Sequence, residues 1–194
     1  MILPAGDYHY ELRRAGALIA LEDTNFDGHT IAGQRRFIES TNRYEARAEL
    51  GDDSNIARIA VSYARGPFVR SARYEAAGDY LRGQISALGG RNIVTAKLGR
   101  FREIDADLAI FRALTIARMR ARGQSRWTGR VAAINPATLV ADSIKQSARC
   151  ADAAGLRWIY EPRMGDREEI EIDADGRLIS RRDNRQGETI LVKS

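Results

Sequence analysis

Apolar and polar residues alternate along most of the chain. Tyr8, Tyr10 and Leu12 are separated by polar residues, and Ile59 and Val61 continue the same pattern further along. A period of two is typical of strands that bury one face. Turn-forming residues separate these segments at intervals of about ten residues, as in all-β proteins. The pattern predicts one continuous domain, residues 1–194, with a mainly β fold: an antiparallel sandwich, roll or open barrel.

One segment is ambiguous. Residues 105–122 contain no Gly or Pro and are rich in Ala, Leu, Arg and Met, which favours a helix. Leu108, Phe111 and Leu114 follow helical spacing, whereas Leu108, Ile110, Leu114 and Ile116 also fit a strand with a bend. A fold with at most one or two helices, or an α+β fold with a helix at about 105–122, are both consistent with the sequence.

Two short turns are well marked. Ala15-Gly16 separates the first two strand segments, and Asp173-Ala174-Asp175-Gly176 connects Ile170–Ile172 to Leu178–Ile179. Asp-Gly tolerates the positive φ of a tight turn. The second turn therefore predicts a β-hairpin near the end of the chain.

The charge composition argues against a nucleic-acid protein. The net charge is +5, and of 31 basic residues all but Lys97, Lys145 and Lys193 are arginines. These arginines are interleaved with 26 carboxylates instead of forming a basic run, which argues against nucleic-acid binding. The single cysteine, Cys150, excludes an intramolecular disulfide.

The sequence contains no signal-peptide pattern and no apolar run that could span a membrane. A cytoplasmic location is therefore expected.

No metal or cofactor is expected. Residues 23–28 resemble the start of a calcium-binding loop, but Gln34 stands where the bidentate glutamate is required. His9, His29 and Cys150 lack the short spacings of zinc ligands. Phosphate-binding, dinucleotide-binding and nucleophile motifs are absent from the sequence. These observations leave no motif for cofactor chemistry.

The remaining candidate chemistry lies in carboxylate pairs and aromatic residues. If the segment were extended, Asp105 and Asp107 would share one face of a strand, and they form the best pair for acid–base work. Trp127 and Tyr160 lie on predicted strands and could line a ligand cavity, where a rigid apolar wall with a polar tip is useful.

Part of the C-terminal half resembles a bacterial glycolipid-binding family. The resemblance rests on Asp105-Ala106-Asp107-Leu108 followed by Leu114 and Arg118, then on Gln146, Trp158–Tyr160 and the hairpin at residues 173–178. Ala148 departs from the family, which has a tyrosine there. The resemblance implies a duplicated spiral β-roll similar to the half-barrels of lipoprotein carriers, and an amphipathic ligand.

Three functional hypotheses follow. The first is a non-enzymatic binding protein for an amphipathic small molecule such as a glycolipid or lipid-like metabolite. Arginines at the rim, with Arg58, Arg118 or Arg130 as candidates, would pair with head-group oxygens. The second is an enzyme that uses Asp105 or Asp107 with an arginine. The third is an interaction module that recruits a protein partner, or forms a homodimer, through a strand edge. The predicted ligand-binding residues are Arg58, Asp107, Arg118, Trp127, Arg130, Gln146 and Tyr160.

Overall fold

The computed structural model describes residues 3–87, 90–163, 166–185 and 187–193. The N-terminal half is a meander of eight strands. They are β1 (Gly6–Arg14), β2 (Ala17–Phe26), β3 (Thr30–Phe37), β4 (Arg43–Leu50), β5 (Ile56–Arg65), β6 (Phe68–Ala77), β7 (Tyr80–Ala87) and β8 (Gly90–Lys97).

The C-terminal half contains one helix followed by a second meander. The elements are β9 (Ile104–Asp105), α1 (Ala109–Ala121), β10 (Arg126–Ile134), β11 (Ala141–Cys150), β12 (Arg157–Glu161), β13 (Glu168–Ile172), β14 (Leu178–Asp183) and β15 (Gly187–Lys193). The predicted C-terminal hairpin is therefore β13–β14, with its turn at residues 173–177.

All the described strands belong to a single open sheet. Its order is β8-β7-β6-β5-β4-β3-β2-β1-β15-β14-β13-β12-β11-β10-β9. Every neighbouring pair is antiparallel except β9–β10, which is parallel. Strand β1, which begins the first meander, pairs with β15, which ends the second meander. This pairing joins the two meanders edge to edge in one sheet. The mainly β, antiparallel prediction is confirmed.

Alternation along the strands places one face of the sheet against α1. On β1, Tyr8, Tyr10 and Leu12 are buried while the intervening side chains are not. We call the side facing α1 the inner face and the opposite side the outer face. The sheet curls around the helix. Hydrophobic burial favours this arrangement because it removes α1 and the inner face of the sheet from water together.

Helix α1 is buried on all sides. Every residue from Ala109 to Met119 is buried, including Arg112, Thr115 and Arg118. The space enclosed by the curled sheet is therefore occupied by the protein's own helix, and the apolar strand faces pack on it.

Backbone groups at the two ends of α1 form hydrogen bonds with different parts of the chain. Leu108 is the N-cap residue and offers no side-chain hydrogen bond. The backbone N–H of Ala109 instead donates to Oε1 of Glu22 on β2, at 2.6 Å. A carboxylate at this position satisfies a free N–H and complements the helix dipole. At the other end Gly123, with φ +66°, ends the helix and donates to the carbonyl of Arg120 at 2.9 Å.

The two ends of the sheet approach each other. Strand β8 lies against β10 and β11 without pairing with them. Tyr74 on β6 donates to the carbonyl of Leu139 at 2.5 Å, and Arg70 donates to the carbonyl of Ala137 at 3.1 Å. These contacts hold the curled shape while the sheet stays open.

In the part of the chain that the structure describes, α1 is too short and too polar to cross a membrane.

Candidate functional site

Arg112 forms the floor of a pocket at the N-terminal end of α1. It projects from the first turns of the helix toward β9, β12 and β13, and its side chain is only 5% exposed. Arginine is rarely buried unless it is paired. We call the cavity above it, which is lined by Asp105, Asp107, Arg112, Gln146 and Glu168 among others, the Arg112 pocket.

Two buried carboxylates hold Arg112. Asp105 on β9 contacts its Nη1 atom, and Oε2 of Glu168 on β13 lies 3.3 Å from its Nε atom. Burial alone would lower the pKa of Arg112, but Asp105 and Glu168 outweigh that effect and raise the pKa well above the ordinary arginine value. The guanidinium group is therefore a fixed positive charge between two acids.

An aromatic ring and an amide complete the floor. The guanidinium carbon of Arg112 lies 5.1 Å from the centroid of the Tyr160 ring, a cation–π contact. Tyr160 donates a hydrogen bond to Oε1 of Gln146, whose Nε2 lies 3.5 Å from Oδ2 of Asp105. Burial raises the pKa of Tyr160 well above its usual value, so its hydroxyl remains a hydrogen-bond donor.

Asp107 connects this group to a second buried arginine. The backbone N–H of Asp107 donates to Oδ1 of Asp105 at 2.9 Å, and Oδ2 of Asp107 lies 2.9 Å from Nη1 of Arg35. Arg35 also pairs with the buried Glu22 at 3.0 Å. Burial opposes ionisation of Asp107, but Arg35, Arg181 and Arg112 outweigh it and lower the pKa of this carboxyl.

The Arg112 pocket has a volume of about 250 Å³. Ile134, Pro136, Ile144 and Pro162 contribute apolar walls above the charged floor. The rim is polar and includes Arg163 and an ion pair between Arg185 and Asp166 at 2.8 Å. The arrangement offers fixed hydrogen-bond donors and acceptors at the bottom of a partly apolar cavity.

The structure brings together three of the seven predicted ligand-binding residues. Asp107 and Gln146 line the Arg112 pocket, and Tyr160 lies beneath it. Because residues 105–107 precede the helix instead of lying on one extended strand, Asp105 and Asp107 make separate contacts and do not form a side-by-side carboxylate pair.

The other four predicted residues lie elsewhere. Arg118 is buried further along α1 and pairs with Glu103 at 2.8 Å, in a cluster of its own. Trp127 packs inside the fold, edge-on to Phe101 with ring centroids 6.5 Å apart. The other two predicted rim arginines, Arg58 and Arg130, are both exposed on the outer face, away from the pocket. These four residues therefore lie apart from the Arg112 pocket.

Sequence reasoning missed the residues that organise the pocket. Arg112 carried a usable signal, because a charged residue inside an Ala/Ile/Phe/Leu segment must find a partner if that segment is buried. Glu168, Arg35 and Glu22 carried no such signal in the sequence. They come from distant strands, and only the curled topology places them beside residues 105–112.

A larger concavity of about 570 Å³ lies on the outer face of β1–β6. Its floor consists of small residues such as Ala32, Ala60 and Ser71, and the charged residues that line it are all exposed or half-buried. His9 and Asp23 in its wall pair with each other at 2.8 Å. No cluster of three or more potential metal ligands occurs among the described residues. The Arg112 pocket, with its buried charges, is the stronger candidate site.

Over its described residues, the chain is a mainly β protein with a single curled sheet and one enclosed helix. Among solved structures, the chain is similar to a DUF1089 family protein from Pseudomonas aeruginosa, with a TM-score of 0.62 over 86% of this chain and 90% of that one. Sequence identity is 20%, so the similarity establishes a shared fold only. No family model and no curated protein matches the sequence. The resemblance to the glycolipid-binding family is not confirmed by these comparisons.

Proposed function

We propose that the protein is a non-enzymatic binding protein for the polar head group of an amphipathic ligand, such as a glycolipid or lipid-like metabolite. The head group would enter the Arg112 pocket. The observation that carries this proposal is the buried Arg112, held between Asp105 and Glu168 at the floor of a small cavity.

The chemistry of the floor suits a group with several hydroxyls. A hydroxyl can donate to a carboxylate and accept from a guanidinium or amide N–H at the same time. Asp105, Glu168, Arg112 and Gln146 supply both kinds of partner within one cavity. Hydrogen bonds that involve charged groups are shorter and stronger than neutral ones. A sugar-like head group would meet both requirements, in agreement with the family that the sequence resembles.

Size restricts the ligand that can be enclosed. The pocket volume of about 250 Å³ is below the about 300–1,000 Å³ usual for whole small-molecule ligands. Helix α1 also occupies the space inside the sheet, against the apolar strand faces. We therefore place only the head group in the protein, with the apolar tail passing the walls at Ile144 and Pro162 toward the outside.

The electrostatics favour binding over catalysis. A general base works best when its pKa lies near the operating pH, whereas neighbouring arginines lower the pKa of Asp107. Asp105 and Glu168 are both engaged by Arg112. The carboxylates of the pocket are thus suited to accept hydrogen bonds from a ligand more than to take a proton from it.

Binding of short-chain alkyl glycosides tests the proposal. We expect octyl glucoside or octyl galactoside, kept below their micelle concentrations, to bind in calorimetry, and Ile144→Trp, which fills the pocket, to abolish binding. Ile93→Trp is the matched control, because Ile93 is 84% exposed on β8 and its replacement should leave binding unchanged.

Two results would overturn the proposal. One is the absence of heat from every alkyl glycoside and free sugar tested at millimolar concentration with folded wild-type protein. The other is equal binding by the wild type and Ile144→Trp. Circular dichroism and thermal unfolding verify that both variants retain the fold.

A further inference from the structure

Several charged residues on the outer face of the sheet pair with opposite charges. Arg182 on β14 lies 2.6 Å from Glu188 on β15. Arg58 on β5 lies between Glu49 and Glu75, at 3.7 and 3.6 Å. Opposite charges at facing positions of adjacent strands stabilise a sheet.

The outer face of β10 and β11 differs from these examples. Arg126 is directly opposite Arg149, and Arg130 is directly opposite Lys145. All four side chains are exposed. Among the described residues, none of the four has a carboxylate within ion-pair distance. Like charges at facing positions destabilise a sheet, so two such pairs on one ribbon favour an anionic partner outside the protein.

A cavity of about 330 Å³ lies at the first of these pairs. It is lined by Arg126 and Arg149 together with the hydroxyl residues Thr128 and Ser147, which face each other on the two strands. Glu161 also borders it and accepts a hydrogen bond from Ser147 at 2.9 Å. Two cationic side chains, Arg126 and Arg149, therefore border a concavity that contains one carboxylate, and Arg130 and Lys145 lie four residues further along the two strands.

We propose that this outer-face site, defined by Arg126, Arg130, Lys145 and Arg149, binds a small phosphorylated ligand. One phosphate would lie between Arg126 and Arg149, where two guanidinium groups can each donate a pair of hydrogen bonds. The hydroxyls of Thr128 and Ser147 provide further donors. A second anionic group would extend toward Arg130 and Lys145, roughly 14 Å along the strands at ~3.4 Å per residue.

The geometry favours a small ligand over single-stranded nucleic acid. Non-specific binding of single strands commonly uses exposed aromatic rings on which bases stack. Trp127, between the two arginine positions of β10, turns to the inner face and is 6% exposed. The cavity volume lies within the range usual for small-molecule sites. This site is independent of the Arg112 pocket, which lies on the opposite face of the same two strands.

Calorimetry with sodium tripolyphosphate at fixed ionic strength tests this proposal. We expect the wild type to bind tripolyphosphate more tightly than inorganic phosphate, and Arg126→Gln/Arg149→Gln to weaken binding at least tenfold. Loss of the facing like charges should leave the thermal stability of that variant unchanged or raised. The control is Arg65→Gln/Arg91→Gln, which removes the same charge from two exposed arginines outside the site and should alter affinity less than twofold.

Three outcomes would overturn the proposal. If the wild-type protein does not bind tripolyphosphate at millimolar concentration, the proposed site is excluded. Equal losses in the two double variants would show general charge attraction only. Tighter binding of an oligothymidylate of comparable charge, with the same dependence on Arg126 and Arg149, would identify nucleic acid as the occupant instead.

Discussion

Arg112 on α1 and Glu168 on β13 meet in the interior, with Nε and Oε2 separated by 3.3 Å. Together with Asp105 they connect the enclosed helix to the C-terminal meander. Arg112→Met would leave two buried carboxylates without their counter-charge, and removing one partner of a buried pair typically costs about 3–5 kcal/mol. We expect a loss of that size in the free energy of unfolding, measured by urea denaturation at pH 7.

The outer-face pair of Arg182 and Glu188 is the control for this prediction. The Arg182 side chain is 70% exposed, and exposed ion pairs contribute at most about 1 kcal/mol. Arg182→Met should therefore change stability little. If Arg112→Met does not fold, Arg112→Met/Asp105→Asn/Glu168→Gln should recover soluble protein, because it removes the uncompensated charges. Equal losses for Arg112→Met and Arg182→Met would contradict the buried network.

Asp107 gives a pH-dependent prediction. Arg35 lowers the pKa of this carboxyl despite its burial, so its contribution to stability is present above the unfolded-state pKa of about 3.9 and is lost as the pH falls through the folded-state value. Because the side chain is 34% exposed, we expect Asp107→Asn to lose only about 1 kcal/mol at pH 7. Asparagine also tolerates the φ of +60° at this position.

The difference between the wild type and Asp107→Asn should shrink as the pH falls from the unfolded-state pKa of Asp107 toward its folded-state pKa. Urea denaturation at several pH values between 7 and 3 measures it. Asp52→Asn, at an exposed carboxyl, is the control and should show a small, nearly constant difference. A difference for Asp107→Asn that persists or grows in acid would exclude stabilisation by the Arg35 pair.

Local sequence patterns predicted most of the sheet because its strands are half-buried. The alternation of Tyr8, Tyr10 and Leu12 translates directly into burial on one face of β1. Segment 105–122 remained ambiguous for a physical reason. A helix buried on all sides has no polar face, so the helical period that normally identifies an amphipathic helix is weak.

The candidate site was only partly predictable. Gln146 and Tyr160 were identified from a resemblance and from residue type, and they do lie together. The ion pairs, however, join residues far apart in sequence, such as Arg35 with Asp107. No local pattern encodes such pairing, because it depends on how the sheet curls.

Gly33 on β3 makes room for the start of α1. A Cβ atom at this position would lie 2.6 Å from Cδ1 of Leu108 and 3.0 Å from Oγ1 of Thr24. Gly33→Ala should therefore reduce the free energy of unfolding by about 1–3 kcal/mol, the usual effect of overpacking. Leu108→Ala alone should lose about 2–5 kcal/mol through the cavity it creates.

The double variant Gly33→Ala/Leu108→Ala distinguishes this contact from unrelated damage. If the new methyl group collides with Leu108, shortening that side chain relieves the collision, and the double variant should be at least about 1 kcal/mol more stable than the sum of the single losses predicts. Urea denaturation of all four proteins provides the cycle. Strictly additive losses would show that Gly33 and Leu108 do not compete for the same space.

The β1–β2 turn offers a stabilising substitution. Arg14 and Ala17 are paired, so the loop consists of Ala15 and Gly16, with φ of +48° and +83°. Positive φ at both positions is characteristic of a type I′ turn, in which Asn-Gly is strongly preferred. Alanine in the left-handed region pays roughly 1–2 kcal/mol, and asparagine less. Ala15→Asn should raise the free energy of unfolding by up to about 1 kcal/mol.

The control for this prediction is Ala77→Asn, at an exposed strand end with ordinary negative φ, which should give no gain. Thermal and urea unfolding measure both variants. Equal effects of the two substitutions would mean that the turn conformation is not the source of any stabilisation.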